Sequence, residues 1–108
     1  TTIVLSRAEL EGLVVRALVR AGTGDTAAAA TARALVQAEI DGQGGHGLSR
    51  VESYAAQARS GKVAGQAEPQ LSLSRPAVVM VDVAHGFFYP AAEAAAPSIA
   101  AAARKNGI

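Results

Sequence analysis

The apolar positions of this chain fall into two rhythms. Between Arg7 and Ala21, Leu10, Leu13, Val14, Ala17 and Leu18 recur at the three- and four-residue steps of one helical face. Ser6 and Glu9 have the spacing of a capping box, and Gly22 supplies a stop, so the pattern predicts a helix over about 7–21. A second stripe, Ala28, Ala32, Leu35 and Val36, follows Asp25, which is the expected N-cap, and has Ile40 at its edge. Only a few residues join the two stripes, which predicts an antiparallel helical hairpin. Glu39 interrupts the second stripe. Either that end of the helix is buried and the carboxylate needs a donor, or the stripe has already reached solvent there. The stretch Gly42-Gln43-Gly44-Gly45-His46-Gly47 ends the helix. A third helix is expected from about Leu48 to Arg59, with Leu48, Val51, Ala55 and Ala58 on one side and Gly61 as its close.

Beyond Val63 the rhythm changes. Leu71-Ser72-Leu73 reads as a short strand, and Ala77 to Val83 is a compact β-branched run, the best strand in the chain. That run is apolar on both faces. It is expected to be buried on both sides, in a sheet completed by residues outside this chain or by a partner chain. His85-Gly86 makes the turn after it. A last helix is expected from about Pro90 to Lys105; Pro90 suits a first turn, and Pro97 predicts a kink or a break. The fold class is therefore α+β and α-rich. A helical segment, 1–62, is followed by a strand-and-helix portion, 63–108.

Composition thins the expected core. Of 108 residues, 26 are Ala, and there are only two Phe, two Tyr and no Trp, so little area is buried per residue. The chain is expected to pack against further chain or a partner. Its formal net charge of +1 comes without a basic stripe, which removes the electrostatic case for nucleic acid. There is no Cys, no HExxH, and only one His, His85, besides His46, which leaves no recognised metal-ligand spacing. The N-terminus lacks the pattern of a signal peptide, and no stretch is long and apolar enough for a bilayer. A cytoplasmic location is compatible with all of this.

Two stretches could carry chemistry. Gly42 to Gly47 satisfies G-x-G-x-x-G, but a helix precedes it where a dinucleotide fingerprint needs a strand. His46, Arg50 and Tyr54 are more informative, because their four-residue spacing lines up three side chains if a helix begins near His46. An imidazole can exchange a proton near neutrality, a guanidinium can hold a carboxylate through two parallel hydrogen bonds, and a phenol adds an oriented one. A small carboxylic acid is the ligand such a set would suit. The plainer alternative is a loop His, a solvated Arg and a half-buried packing Tyr.

From His46 to Tyr54, the chain resembles the type-2 malate/L-lactate dehydrogenase family. Asp41 to Tyr54 matches the family's acidic-to-His-Gly run with Arg and Tyr at this spacing. Gly61 with Lys62-Val63, Pro69, Val81-Asp82, Gly86-Phe87, Pro90-Ala91-Ala92 and Lys105-Asn106-Gly107-Ile108 continue the match in order. The resemblance implies an N-terminal portion of a larger, non-Rossmann enzyme whose nicotinamide-binding domain follows residue 108. It implies NAD or NADP as cofactor and a homodimer with the active site near the subunit interface. By the same resemblance, Arg50 pairs with the substrate carboxylate, His46 serves the substrate oxygen or proton transfer, and Tyr54 fixes orientation. Gly45 takes a substrate-facing position where many members carry Ser. The implied reaction is hydride transfer between NAD(P) and a small 2-hydroxy, 2-oxo or cyclic imino acid, a reaction these 108 residues alone are not expected to perform. The rival reading is a non-catalytic helical interaction module.

Overall fold

A computed structural model describes residues Thr1–Ile108. Helix α1 spans Arg7–Arg20 and helix α2 spans Asp25–Ile40. Two three-residue 3-10 turns, Gly44–His46 and Leu48–Arg50, lead into α3, Val51–Ser60. Strands β1, Gln70–Arg75, and β2, Val78–Asp82, then form a hairpin, and α4, Phe88–Asn106, ends the fold.

The capping box at α1 forms as the spacing requires. The Glu9 N–H donates to Ser6 Oγ at 3.2 Å, and the Ser6 N–H donates to Glu9 Oε2 at 2.7 Å. The Ser6 backbone N–H, followed by the Ser6 hydroxyl, holds the Glu9 carboxyl below its ordinary value. The cap of α2 differs from expectation: Gly24 takes the N-cap position and Asp25 is the first helical residue. Gly24 is held there from both sides: its N–H donates to Gly65 O at 2.9 Å, and its carbonyl accepts from the Ala28 N–H at 2.8 Å. Asp25 instead adds negative charge to the first turn, where the helix dipole favours it.

α1 and α2 pack as a hairpin, and α3 lies against α1. The contiguous core is Val14, Leu18, Ala21, Ala28, Ala32, Leu35, Val36 and Ala55, all from these three helices and the turn after α1. α4 packs on the other side of α2, where Arg33 grips Glu93 with both of its carboxylate oxygens engaged.

β1 and β2 run antiparallel, from Gln70 opposite Asp82 to Arg75 opposite Val78, with a bulge between Leu73 and Arg75. The partner of β2 thus comes from within the chain. Nor is β2 buried on both sides: its residues alternate between exposed and half-buried, and Met80 keeps 53% of its surface. Only one face has a layer to pack on, and that layer is α4. The carbonyl of Pro76, at the hairpin turn, accepts from Asn106 Nδ2 at 2.9 Å, which ties the turn to the end of α4.

α4 begins two residues earlier than expected and runs unbroken through Pro97. Proline removes the bond that would reach Glu93 O. Both residues are exposed, so water can serve that carbonyl and the helix continues.

Candidate functional site

The site is built where α2 gives way to α3. Gly42, at φ +77°, turns the chain out of α2. Glu39, one residue from the end of that helix, then reaches forward: its Oε2 accepts from the Leu48 N–H at 2.9 Å. The carboxylate thus has its donor although Glu39 itself is exposed, which joins the two readings left open by its place in the apolar stripe. It also explains Gly47. A Cβ on that residue would overlap the Glu39 carboxylate and come within 3.1 Å of Leu35 O. The loop closes on itself through Ser49 Oγ, which donates to Gly44 O at 2.7 Å, and Arg50 Nε, which donates to Gly45 O at 2.7 Å.

One helix starting near His46 does not form. Gly47, at φ −105° and ψ −130°, is not helical, so His46 sits on a separate 3-10 turn. Only the step from Arg50 to Tyr54 runs along α3. His46 is exposed on the preceding turn, and its side chain makes no hydrogen bond to Arg50 or Tyr54. Gly45 is exposed with a negative φ, and a Cβ there would meet nothing within 4 Å. Neither its backbone nor its surroundings demand glycine.

Tyr54, one helical turn after Arg50, lines an aromatic cavity. It has a volume of about 220 Å³, and its walls include Tyr54, Gln57, Phe87, Phe88 and Tyr89. The chain has only four aromatic residues, and all four are in this wall. Tyr54 meets Phe87 at 5.7 Å between ring centroids, tilted by 46°, and Tyr89 meets Phe88 edge-on at 5.9 Å. Burial pushes the Tyr89 phenol above its ordinary range. The Tyr54 phenol, as a hydrogen-bond neighbour, raises it further, while the Arg50 charge pulls the other way. Arg50 spends Nε on the loop and keeps its two terminal nitrogens, the pair that would meet a carboxylate.

The far wall is presented by the turn from β2 into α4. Ala84 and His85 are both left-handed, at φ 50° and 62°, which is unusual for residues other than glycine. Asp82 Oδ1 accepts from the Ala84 N–H at 2.8 Å, and His85 O accepts from the Ala64 N–H at 2.9 Å. These bonds hold Gly86 and Phe87 against the loop after α3. His85 is the turn residue its sequence suggested. Tyr89 was not singled out by the spacing; the available signal was compositional, since three of the four aromatics are consecutive at 87–89.

The family model described as malate/L-lactate dehydrogenase matches residues 5–108. A Δ1-pyrroline-2-carboxylate reductase of Ancylobacter novellus is 44% identical over 104 residues, which is 96% of this chain and 30% of that protein. A (2R)-3-sulfolactate dehydrogenase (NADP+) of Chromohalobacter salexigens is 46% identical over 87 residues, covering 81% of this chain and 26% of that one. The crystal structure of a Δ1-piperideine-2-carboxylate reductase from Pseudomonas syringae superposes with a TM-score of 0.93 at 33% identity, over 97% of this chain and 32% of that one. The chain thus spans about three tenths of the length of these relatives.

Proposed function

Because this chain belongs to the malate/L-lactate dehydrogenase family, we propose that it forms the acid-binding portion of an oxidoreductase that moves hydride between a nicotinamide cofactor and a small 2-hydroxy, 2-oxo or cyclic imino acid. The observation that carries this reading is Arg50. Its terminal nitrogens are not used by the loop, and Tyr54, one helical turn on, lines an aromatic cavity sized for a small acid. The two reductases and the sulfolactate dehydrogenase are named for small acids of this size.

In this reading Arg50 takes the carboxylate and Tyr54 adds an oriented hydrogen bond. His46 serves the reacting oxygen or nitrogen, or its proton, and Gly45 lines the same position without a hydroxyl. The 108 residues carry no strand–glycine loop–helix cradle for a dinucleotide, since the Gly-rich loop follows α2. What this chain's own residues do is bind and orient the acid; NAD or NADP is left open. No helix is long and apolar enough to cross a membrane. A homodimer working in the cytoplasm completes the proposal.

Arg50→Ala in the intact protein is expected to raise KM for the acid by about 10-fold or more, the loss of charge-assisted hydrogen bonds, with cofactor affinity unchanged. An unaltered KM would take the carboxylate away from Arg50. The rival, a non-catalytic interaction module, is favoured by one feature, an apolar groove lined by Val81, Val83, Phe88, Ala95 and Ile99. Sedimentation with NADH or NADPH separates the two. A dimer that binds the nicotinamide supports the enzyme, and an assembly indifferent to it supports the module.

A further inference from the structure

We propose that Glu39, in the last turn of α2, is a positioning residue for the acid: its carboxylate caps the turn that begins at Leu48 and so fixes where His46 and Arg50 stand. The inference rests on the reading that these two residues meet the substrate. It adds a group that lies outside the Asp41 to Tyr54 run on which the dehydrogenase resemblance was read.

Three observations carry it. First, the turn has no cap of its own. Neither Leu48–Arg50 nor α3 behind it is capped by the side chain that precedes it, and the N-cap position of the turn is Gly47, which has no side chain to offer. The Leu48 N–H donates to Glu39 Oε2 instead, at 2.9 Å, across nine residues. A carboxylate suits that place, because N–H groups at the start of a helical turn lack backbone partners and favour negative charge. Second, the carboxylate is seated in the loop. A Cβ on Gly47 would overlap Oε2, and a Cβ on Gly44 would lie 3.6 Å from Oε1, so its two oxygens meet the residues that flank Gly45 and His46. Third, this is the side-chain bond that fastens the loop to α2. The others, from Ser49 Oγ to Gly44 O and from Arg50 Nε to Gly45 O, close the loop on itself.

The consequence follows from where the bond falls. Leu48 is two residues after His46 and two before Arg50, so one tie holds both. Its base is firm, since Leu35 and Val36, a turn earlier in α2, are completely buried. Arg50 is pinned through Nε to the Gly45 carbonyl, and its terminal nitrogens therefore go where the loop goes. A two-bond grip on a carboxylate tolerates little displacement, and a shift of about 1 Å is enough to weaken it. What Glu39 supplies is reach: an acceptor oxygen at the right distance from the Leu48 N–H.

The test uses the intact protein with its nicotinamide cofactor and pyrrole-2-carboxylate, a planar ring acid, as calorimetric probe. Glu39→Ala is expected to weaken probe binding about 10-fold, the loss of one charge-assisted hydrogen bond. KM for the cyclic imino acid should rise by the same factor while cofactor affinity holds within about twofold. Two further variants separate reach from charge. Glu39→Gln keeps the length and an acceptor oxygen and should recover most of the loss. Glu39→Asp keeps the charge but is one methylene short and should bind the probe as weakly as Glu39→Ala. Losses that follow charge instead, with Glu39→Asp like wild type and Glu39→Gln like Glu39→Ala, would overturn the proposal. So would a lower denaturation midpoint in Glu39→Ala with probe binding and KM unchanged, the mark of a merely structural bond. Arg50→Ala distinguishes the two levels. If it weakens the probe and the Glu39 variants do not, only the role of Glu39 fails. If Arg50→Ala leaves the probe bound as before, the acid-site reading fails and the role of Glu39 with it.

Discussion

The three N-terminal helices and the hairpin with α4 use apolar residues in opposite ways. In the helical part, Leu18, Leu35 and Val36 are completely buried, and the core is continuous from Val14 to Ala55. In the other part neither strand has a buried residue, and Leu73, Met80, Phe88 and Ile99 each leave more than half of their surface open. A helical stripe is satisfied by one neighbouring helix. A strand that is apolar on both faces needs two layers, and α4 supplies only one. Similar hydrophobicity therefore yields a closed core in one place and an open face in the other.

The largest effect should come from testing that contrast directly. Leu35→Ala is expected to cost about 2–5 kcal/mol in urea denaturation, whereas Leu73→Ala should stay within about 0.5 kcal/mol. A cost at Leu73 comparable to that at Leu35 would mean that the open face is covered in the working protein, and the contrast would vanish. Next comes the joint that carries the proposed acid site. Gly47→Ala forces a methyl into the Glu39 carboxylate and should cost about 1–3 kcal/mol by the same measurement. Combining it with Glu39→Ala should cost less than the two separate losses added together, because the overlapping group is gone. Strict additivity would show that Gly47 is needed for another reason.

A smaller effect concerns the bond between the two parts. Hydrogen bonding from Arg33 holds the Glu93 carboxyl below its ordinary value. The ion pair therefore contributes above the ordinary carboxylate range and is lost as pH falls through the lowered value. Both side chains are 47% exposed, so solvent screening limits the contribution to about 1 kcal/mol or less. Stability curves of wild type and Glu93→Gln should separate at neutral pH and converge in acid; a constant offset would contradict the assignment. Smallest of all, Gly45→Ser should leave stability within about 0.5 kcal/mol, since a Cβ there meets nothing. It should also tighten binding of the acid if position 45 faces it, and a titration with pyrrole-2-carboxylate decides that.

How far the residues announced this arrangement depends on distance along the chain. α1, with Ser6 and Glu9 at its head, lies within a residue of its expected span because every signal is local. The hairpin of α1 and α2 follows from the same stripes. Glu39 was visible as an irregularity, but its acceptor role toward Leu48 was not, since it depends on how the loop folds back. The face shared by His46, Arg50 and Tyr54 assumed one continuous helix, and Gly47 interrupts it for a reason that lies eight residues upstream. At Pro97 a kink or a break is expected; no break occurs, because the carbonyl left without its partner is open to water. Tyr89 stands 35 residues from Tyr54, and no periodicity reports a meeting of that range.

The gathering of every aromatic ring at one cavity has an optical consequence. The chain has no tryptophan, and both tyrosines are in that wall. Within these residues the near-ultraviolet chromophores are therefore confined to a single locale, and their absorption and emission report on nothing else. An acid entering beside Arg50 would register in that spectrum without any attached dye.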